Sequence, residues 1–172
     1  EILNKLPNQN HEFLEGNVPY TINPGGPNHE ELSCLIGISE YFDNLYNHHF
    51  KDKNISKLNK IKKINKLISD HEEKIAKKLL NYINANNKIK LIGKNKIEDK
   101  NRAPTISFTV KEKTSKEVSD FLVSNGIALR NDNFYAWRCL KALGIDTDDG
   151  VIRASMVHYN NDQEIEKIIK VL

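Results

Sequence analysis

Apolar residues recur at helical spacing from His29 to Asn47, at Leu32, Leu35, Ile36, Phe42, Leu45 and Tyr46. The spacing predicts one amphipathic helix, and Asn28 followed by Glu31 has the form of its N-terminal cap. A second helical pattern follows: Leu58, Ile61, Ile64, Ile68, Ile75, Leu79 and Tyr82 or Ile83 share one side, while Lys57, Lys60, Lys62, Lys63 and Lys66 take the others. It predicts one long amphipathic helix, or two joined near Ser69 and Asp70. From Lys88 the period drops toward two and β-branched residues appear. Lys88 to Ile92 and Thr105 to Val110 read as strands, separated by a polar loop that Pro104 closes. Thr114 with Glu117 has capping-box spacing, Val118, Phe121 and Leu122 form an apolar stripe, and Asn125-Gly126 supplies the stop. The remainder predicts a short strand over Ile127 to Arg130, a short helix over Tyr135 to Leu143 ending at Gly144, and a strand over Val151 to Tyr159. A last helix begins at the Asn161 and Glu164 pair, with Ile165, Ile168, Ile169 and Leu172 on one side.

Residues 1 to 27 differ from the rest. They hold four of the five prolines and three of the eight glycines, so they read as loop with one short strand at Val18 to Ile22. The order from Lys88 onward, β, β, α, β, α, β, α, mixes hairpins with crossovers. It predicts an α+β fold: a small sheet of three to four strands, mainly antiparallel, with helices packed on one face and a long helical lead-in before it.

Composition narrows the function classes. The 172 residues, 38% hydrophobic and 28% charged, suffice for a real core. Twenty-six Lys and Arg against 23 Asp and Glu leave +3, too small a surplus to demand nucleic acid or a membrane as partner. The lysine run could suit nucleic acid, but no aromatic is interleaved for stacking and Asp70, Glu72 and Glu73 follow at once, so a solvated helix face explains it. The absence of a leader or a long apolar run makes a soluble, cytoplasmic protein the expectation. Cys34 and Cys139 have no CxxC spacing, so reduced thiols are expected. The six histidines show no metal-ligand spacing. A chain that opens at Glu1 and not at Met suggests a processed product or a fragment.

Six stretches, GGPNHEELSCLIGISEYF, DHEEKIAKKLLNYI, PTISFTV, TSKEVSDFLVSNGIALRN, FYAWRCLKALGI and GVIRASMVHYN, occur in an order that resembles the C-terminal portion of class V aminotransferases. These are pyridoxal-phosphate (PLP) enzymes, and the cysteine desulfurase-like branch is the nearest match. The resemblance implies that residues 1–50 are the end of a large cofactor domain and that 51–172 are the C-terminal small α/β domain with a long linking helix. It further implies pyridoxal 5'-phosphate as cofactor of the complete enzyme, an amino-acid substrate, a homodimer when complete, and a sulfur acceptor protein as a candidate partner.

Arg153 stands among Val151, Ile152, Ala154, Met156 and Val157. A guanidinium in such a strand needs an anionic partner, and its planar fork of donors suits a carboxylate. The resemblance assigns it the substrate α-carboxylate; a solvated strand-edge arginine or a structural ion pair is the alternative. Arg130 matches an arginine near the family's active-site loop, and either shapes the substrate pocket or pairs with Asp132. Gly25 and Gly26 precede a helix start that could receive an anion. Where relatives have Gly-Thr and use it on the partner subunit's cofactor phosphate, Gly26 lacks the hydroxyl. Asn28 and His29 look like the branch's Asn-His pair, or serve simply as helix cap and first-turn surface residue. Desulfurases carry a nucleophilic cysteine a few residues after the arginine matching Arg130, yet Arg130 to Tyr135 contains no thiol. Cys139 is a weak catalytic candidate against the reading of a small core residue. The Schiff-base lysine motif, S-x-H-K-x-x-G-P, is absent from the sequence, so the chain alone is expected to be inert. A non-enzymatic α+β binding module and a degenerate, inactive relative are the rival readings.

Overall fold

The computed structural model describes residues 1–23, 25–97 and 102–172. These divide into two compact units, Glu1–Ile61 and Lys62–Leu172, with the division falling inside a helix.

The first unit opens with three single 3-10 turns, Leu3–Lys5, Glu12–Leu14 and Val18–Tyr20. The strand expected at Val18 to Ile22 is therefore not formed. Pro19 accounts for this, since its locked φ and missing N–H suit the first turn of a helix and deny a ladder bond. Helix α1, His29–His49, begins as predicted, with the Asn28 Oδ1 accepting from the Glu31 backbone N–H at 3.1 Å. Tyr46 is its one fully buried residue; its hydroxyl donates to the Asp52 carbonyl at 2.9 Å, and the Lys60 ammonium lies over its ring. Leu32, Leu35, Ile36, Ile38 and Tyr41 on α1 are exposed.

Helix α2, Lys57–Ala85, is continuous through Ser69 and Asp70, which settles the choice between one helix and two. Within the second unit its Ile75, Ala76, Leu79, Leu80 and Ile83 are buried, one stripe at 3.6-residue spacing. Strands β1 (Ile89–Ile92), β2 (Thr105–Val110), β3 (Arg130–Asp132) and β4 (Val151–Ser155) form a sheet in the order β1-β2-β4-β3 with every pairing antiparallel. The polar loop between β1 and β2 includes residues 98–101, which lie outside the described residues. Helices α3 (Ser115–Ser124) and α5 (Asp162–Val171) join α2 on the sheet face carrying Ile106, Phe108, Ile152 and Ala154. The short helix α4, Trp137–Ala142, buries Leu140.

Local chemistry explains these limits. The predicted capping box forms between Thr114 and Glu117 on α3, and the Asn161 and Glu164 pair that starts α5 proves to be a second one. α3 stops where Gly126 takes φ 70°, a conformation a side chain disfavours. β4 is shorter than its apolar pattern, because Asn160 folds the chain back: its Oδ1 accepts from the Val157 N–H at 2.8 Å and its N–H donates to the Val157 carbonyl at 2.9 Å. No described helix is long and apolar enough to cross a membrane.

At the start of α5, Asp162 receives Lys74 at 2.9 Å on Oδ2 and Lys78 at 2.9 Å on Oδ1. Lys78, with Lys74 beside it, draws the Asp162 carboxyl down to about 2 from its ordinary 3.8. A carboxyl depressed by folding contributes stability above its unfolded value, and that contribution is lost as pH falls through the folded one. Stability is therefore expected to decline between about pH 4 and pH 2, more steeply than in Asp162→Asn, as read by urea unfolding across that range. Coincident profiles for the two proteins would refute the assignment.

Candidate functional site

Consecutive strand residues face opposite sides of a sheet. Because Ile152 and Ala154 face the helices, Arg153 faces away. The register places Ser107 of β2 on one side of Arg153 and Arg130 of β3 on the other, so a hydroxyl and two guanidiniums share one face in a row across three strands.

A loop supplies the fourth member. Phe134 and Tyr135 follow β3 with φ 51° and 60°, both in the left-handed region that residues other than glycine seldom adopt. Hydrogen bonds hold them there: the Asn133 Oδ1 accepts from the Tyr135 N–H at 3.0 Å, and the Asn133 amide donates to the Thr147 carbonyl at 3.3 Å. The result sets the Phe134 ring against the Arg153 guanidinium, with the central carbon 4.0 Å from the ring centroid. The contact screens the guanidinium carbon on one side without using a hydrogen-bond donor of the fork, whose N–H groups suit a planar acceptor. Arg153 is half-buried and makes no ion pair with any described residue. Arg130 is exposed, and among the described residues it has no ion pair with Asp132, whose Oδ1 instead accepts from the Asn133 N–H at 2.6 Å.

The scaffold beneath is tied together by a buried serine. Ser115, the first residue of α3, donates through its N–H to the Asp149 Oδ1 at 2.7 Å and through its hydroxyl to the Asp149 carbonyl at 2.5 Å. The Asn131 amide donates to the same hydroxyl at 3.1 Å. One side chain thus joins the start of α3, strand β3 and the turn that enters β4, the two strands bearing the arginines. Strain in the loop has a measurable consequence. Tyr135 is fully exposed, so Tyr135→Gly removes no packing and relieves a left-handed conformation. It is expected to raise the unfolding free energy by up to about 1 kcal/mol; an unchanged or lower urea midpoint would contradict it.

The other predicted residues lie elsewhere. Gly25 and Gly26 are exposed, and a Cβ built on either meets nothing within 4 Å, so neither is a glycine for lack of space. Asn28 spends its side-chain oxygen on the helix cap, His29 is exposed, and Glu30 and Glu31 occupy the first turn of α1. Those carboxylates oppose the attraction of a helix N-terminus for phosphate. Cys139 is exposed on α4, which removes the reading of a small core residue. Among the described residues no group of His, Cys, Asp and Glu could hold a metal ion. Sequence reasoning missed Ser107, Phe134 and Ser115. The Asn133 and Phe134 pair between two polar turns was the available signal, but only the backbone conformation aims the ring at Arg153.

Residues 55–168 match the family model described as aminotransferase class-V. The chain belongs to that family. It is 33% identical over 106 residues to "Aminotransferase-like protein FGM3" of Gibberella zeae, a match covering 61% of this chain and 26% of the relative. The apo cysteine desulfurase of Thermococcus onnurineus NA1 is similar at 26% identity and a TM-score of 0.54, over 65% of this chain and 28% of that one. The cysteine desulfurase CsdA of Escherichia coli shares the fold at 18% identity and a TM-score of 0.59, over 89% of this chain and 32% of that one. The chain thus spans between about a quarter and a third of the length of these relatives.

Class V aminotransferases and cysteine desulfurases use pyridoxal 5'-phosphate. The described residues supply at most part of a site for that group. The sequence has no lysine in the Schiff-base motif, and Gly25 to His29 offers backbone N–H groups beside two carboxylates, in a different unit from Arg153. The arginine row, by contrast, has the chemistry to hold an acidic ligand.

Proposed function

We propose that the chain works as the C-terminal part of a pyridoxal-phosphate-dependent enzyme acting on an amino acid, with Arg153 gripping the substrate α-carboxylate. Residues 1–50 would complete the large cofactor domain and 51–172 would form the small domain, in a homodimer. One observation carries the reading: the Arg153 guanidinium lies over the Phe134 ring and has no acidic partner among the described residues. A half-buried cation so held is a prepared carboxylate receptor. The exposed apolar side chains of α1 support the domain assignment, as they suit a helix that packs against further protein.

The bound cofactor would serve as electron sink for bonds at the substrate α-carbon. This chain's contribution is binding and orientation, because a carboxylate held at two points fixes which way the remainder of the amino acid faces. Sulfur transfer to an acceptor protein would need a thiolate on a mobile loop, and Cys139 is inside a helix. Chemistry of the aminotransferase or lyase type, which needs no enzyme thiol, suits these residues better.

In the complete enzyme, Arg153→Ala is expected to raise the dissociation constant for the amino-acid substrate by about 10- to 100-fold, the loss of a charge-assisted pair. The cofactor's absorption change on titration measures it. Unchanged affinity would overturn the assignment. The chain by itself is expected to show no borohydride-trapped cofactor.

A further inference from the structure

The pairing of two arginines across β3 and β4 is chemically unusual. Residues directly opposite in an antiparallel pair stand roughly 5 Å apart at Cβ, and like charges in that relation repel. Arg130 and Arg153 occupy that relation, and neither has a carboxylate within ion-pairing distance among the described residues. Asp132, two residues along on the same side of β3, is turned to the Asn133 N–H instead. Repulsion is avoidable at a sheet edge, where Arg130 could be any polar residue, so the arrangement is best satisfied by a ligand bringing two negative charges.

We propose that Arg130 and Arg153 form a two-anion site and that the substrate is an amino acid with an acidic side chain. Arg153 takes the α-carboxylate and Arg130 the second acidic group. This rests on the reading of Arg153 given above and adds the substrate class. Phe134 suggests the division of labour: its ring lies against the Arg153 guanidinium, 4.0 Å from the central carbon to the centroid, while Arg130, exposed, can swing to meet a side-chain acid. Ser107, on the far side of Arg153 from Arg130, adds a neutral hydroxyl and leaves the positive charge concentrated on the β3 side.

The test uses this chain with its arginine side chains labelled with ¹⁵N. L-Alanine and L-aspartate are the probes, and dissociation constants are read from the arginine Nε–H resonances. The Phe134 ring current is expected to shift the Arg153 signal upfield, and the loss of that signal in Arg153→Gln identifies it. L-Aspartate is expected to bind at least about tenfold more tightly than L-alanine and to shift the Arg130 signal as well. Arg130→Gln is expected to bring the ratio of the two constants near one, whereas Lys51→Gln, which removes the same charge from the other unit, leaves the ratio as it was. An Arg130 signal indifferent to L-aspartate overturns the proposal, as does a ratio that survives Arg130→Gln or that falls equally in Lys51→Gln. None of these outcomes touches the α-carboxylate role, which in this experiment fails if Arg153→Gln leaves L-alanine binding unaltered.

Discussion

Phe108→Ala is expected to lower the unfolding free energy of the sheet unit by about 3–5 kcal/mol, measured by urea denaturation followed by circular dichroism. Phe108 is wholly buried on β2, paired with Leu91 of β1 and Ile152 of β4, and it belongs to the core shared with α2, α3 and α5. Neighbours on that many sides cannot all move into the vacated volume, so the loss includes a cavity as well as the transferred ring. A cost below about 1.5 kcal/mol would mean that the helices collapse onto the sheet and that the packing is looser than its burial implies.

Gly150→Ala is the second large effect, and it reaches the arginine row. Gly150 has φ 73°, and a Cβ there would lie 2.3 Å from the carbonyl carbon and oxygen of Asp132 and 2.6 Å from the Asn133 nitrogen. Those atoms are backbone and cannot rotate aside. Left-handed strain of about 1 kcal/mol and overpacking of about 1–3 kcal/mol sum to an expected loss of about 2–4 kcal/mol. The displaced peptide leads directly into Phe134, so the upfield shift of the Arg153 guanidinium signal should diminish as well. Gly144→Ala separates the two causes: its φ is 68° and nothing lies within 4 Å of its Cβ. That variant should lose only about 1 kcal/mol and keep the Arg153 signal. Equal losses in the two variants would rule out the steric account.

The elements that could be read from the chain are those whose signals are local. β2 begins and ends where its alternation does, and α3 lies between a capping box and an Asn-Gly stop that both operate as such. Failures arise where burial and ladder pairing part company. Ile127 is buried and Leu129 packs on the core, so the apolar run was a fair strand signal. The ladder nevertheless begins only at Arg130, where β4 becomes available as a partner. Likewise the expected helix start at Tyr135 moves to Trp137, because Asn133 holds the two preceding aromatics in a left-handed turn. Arg153 was legible because a cation among apolar neighbours is conspicuous in one dimension. Phe134 was not, since its role depends on a backbone conformation that its own residue type disfavours.

The brevity of β3 has a bearing on handling the protein. An outermost ladder of three residues, Arg-Asn-Asp, offers a stranger's chain few unsatisfied amides and meets it with charge of both signs. Concentrated solutions should consequently resist growth of intermolecular β-structure from that border, and any fibril that does appear would have to start from another segment.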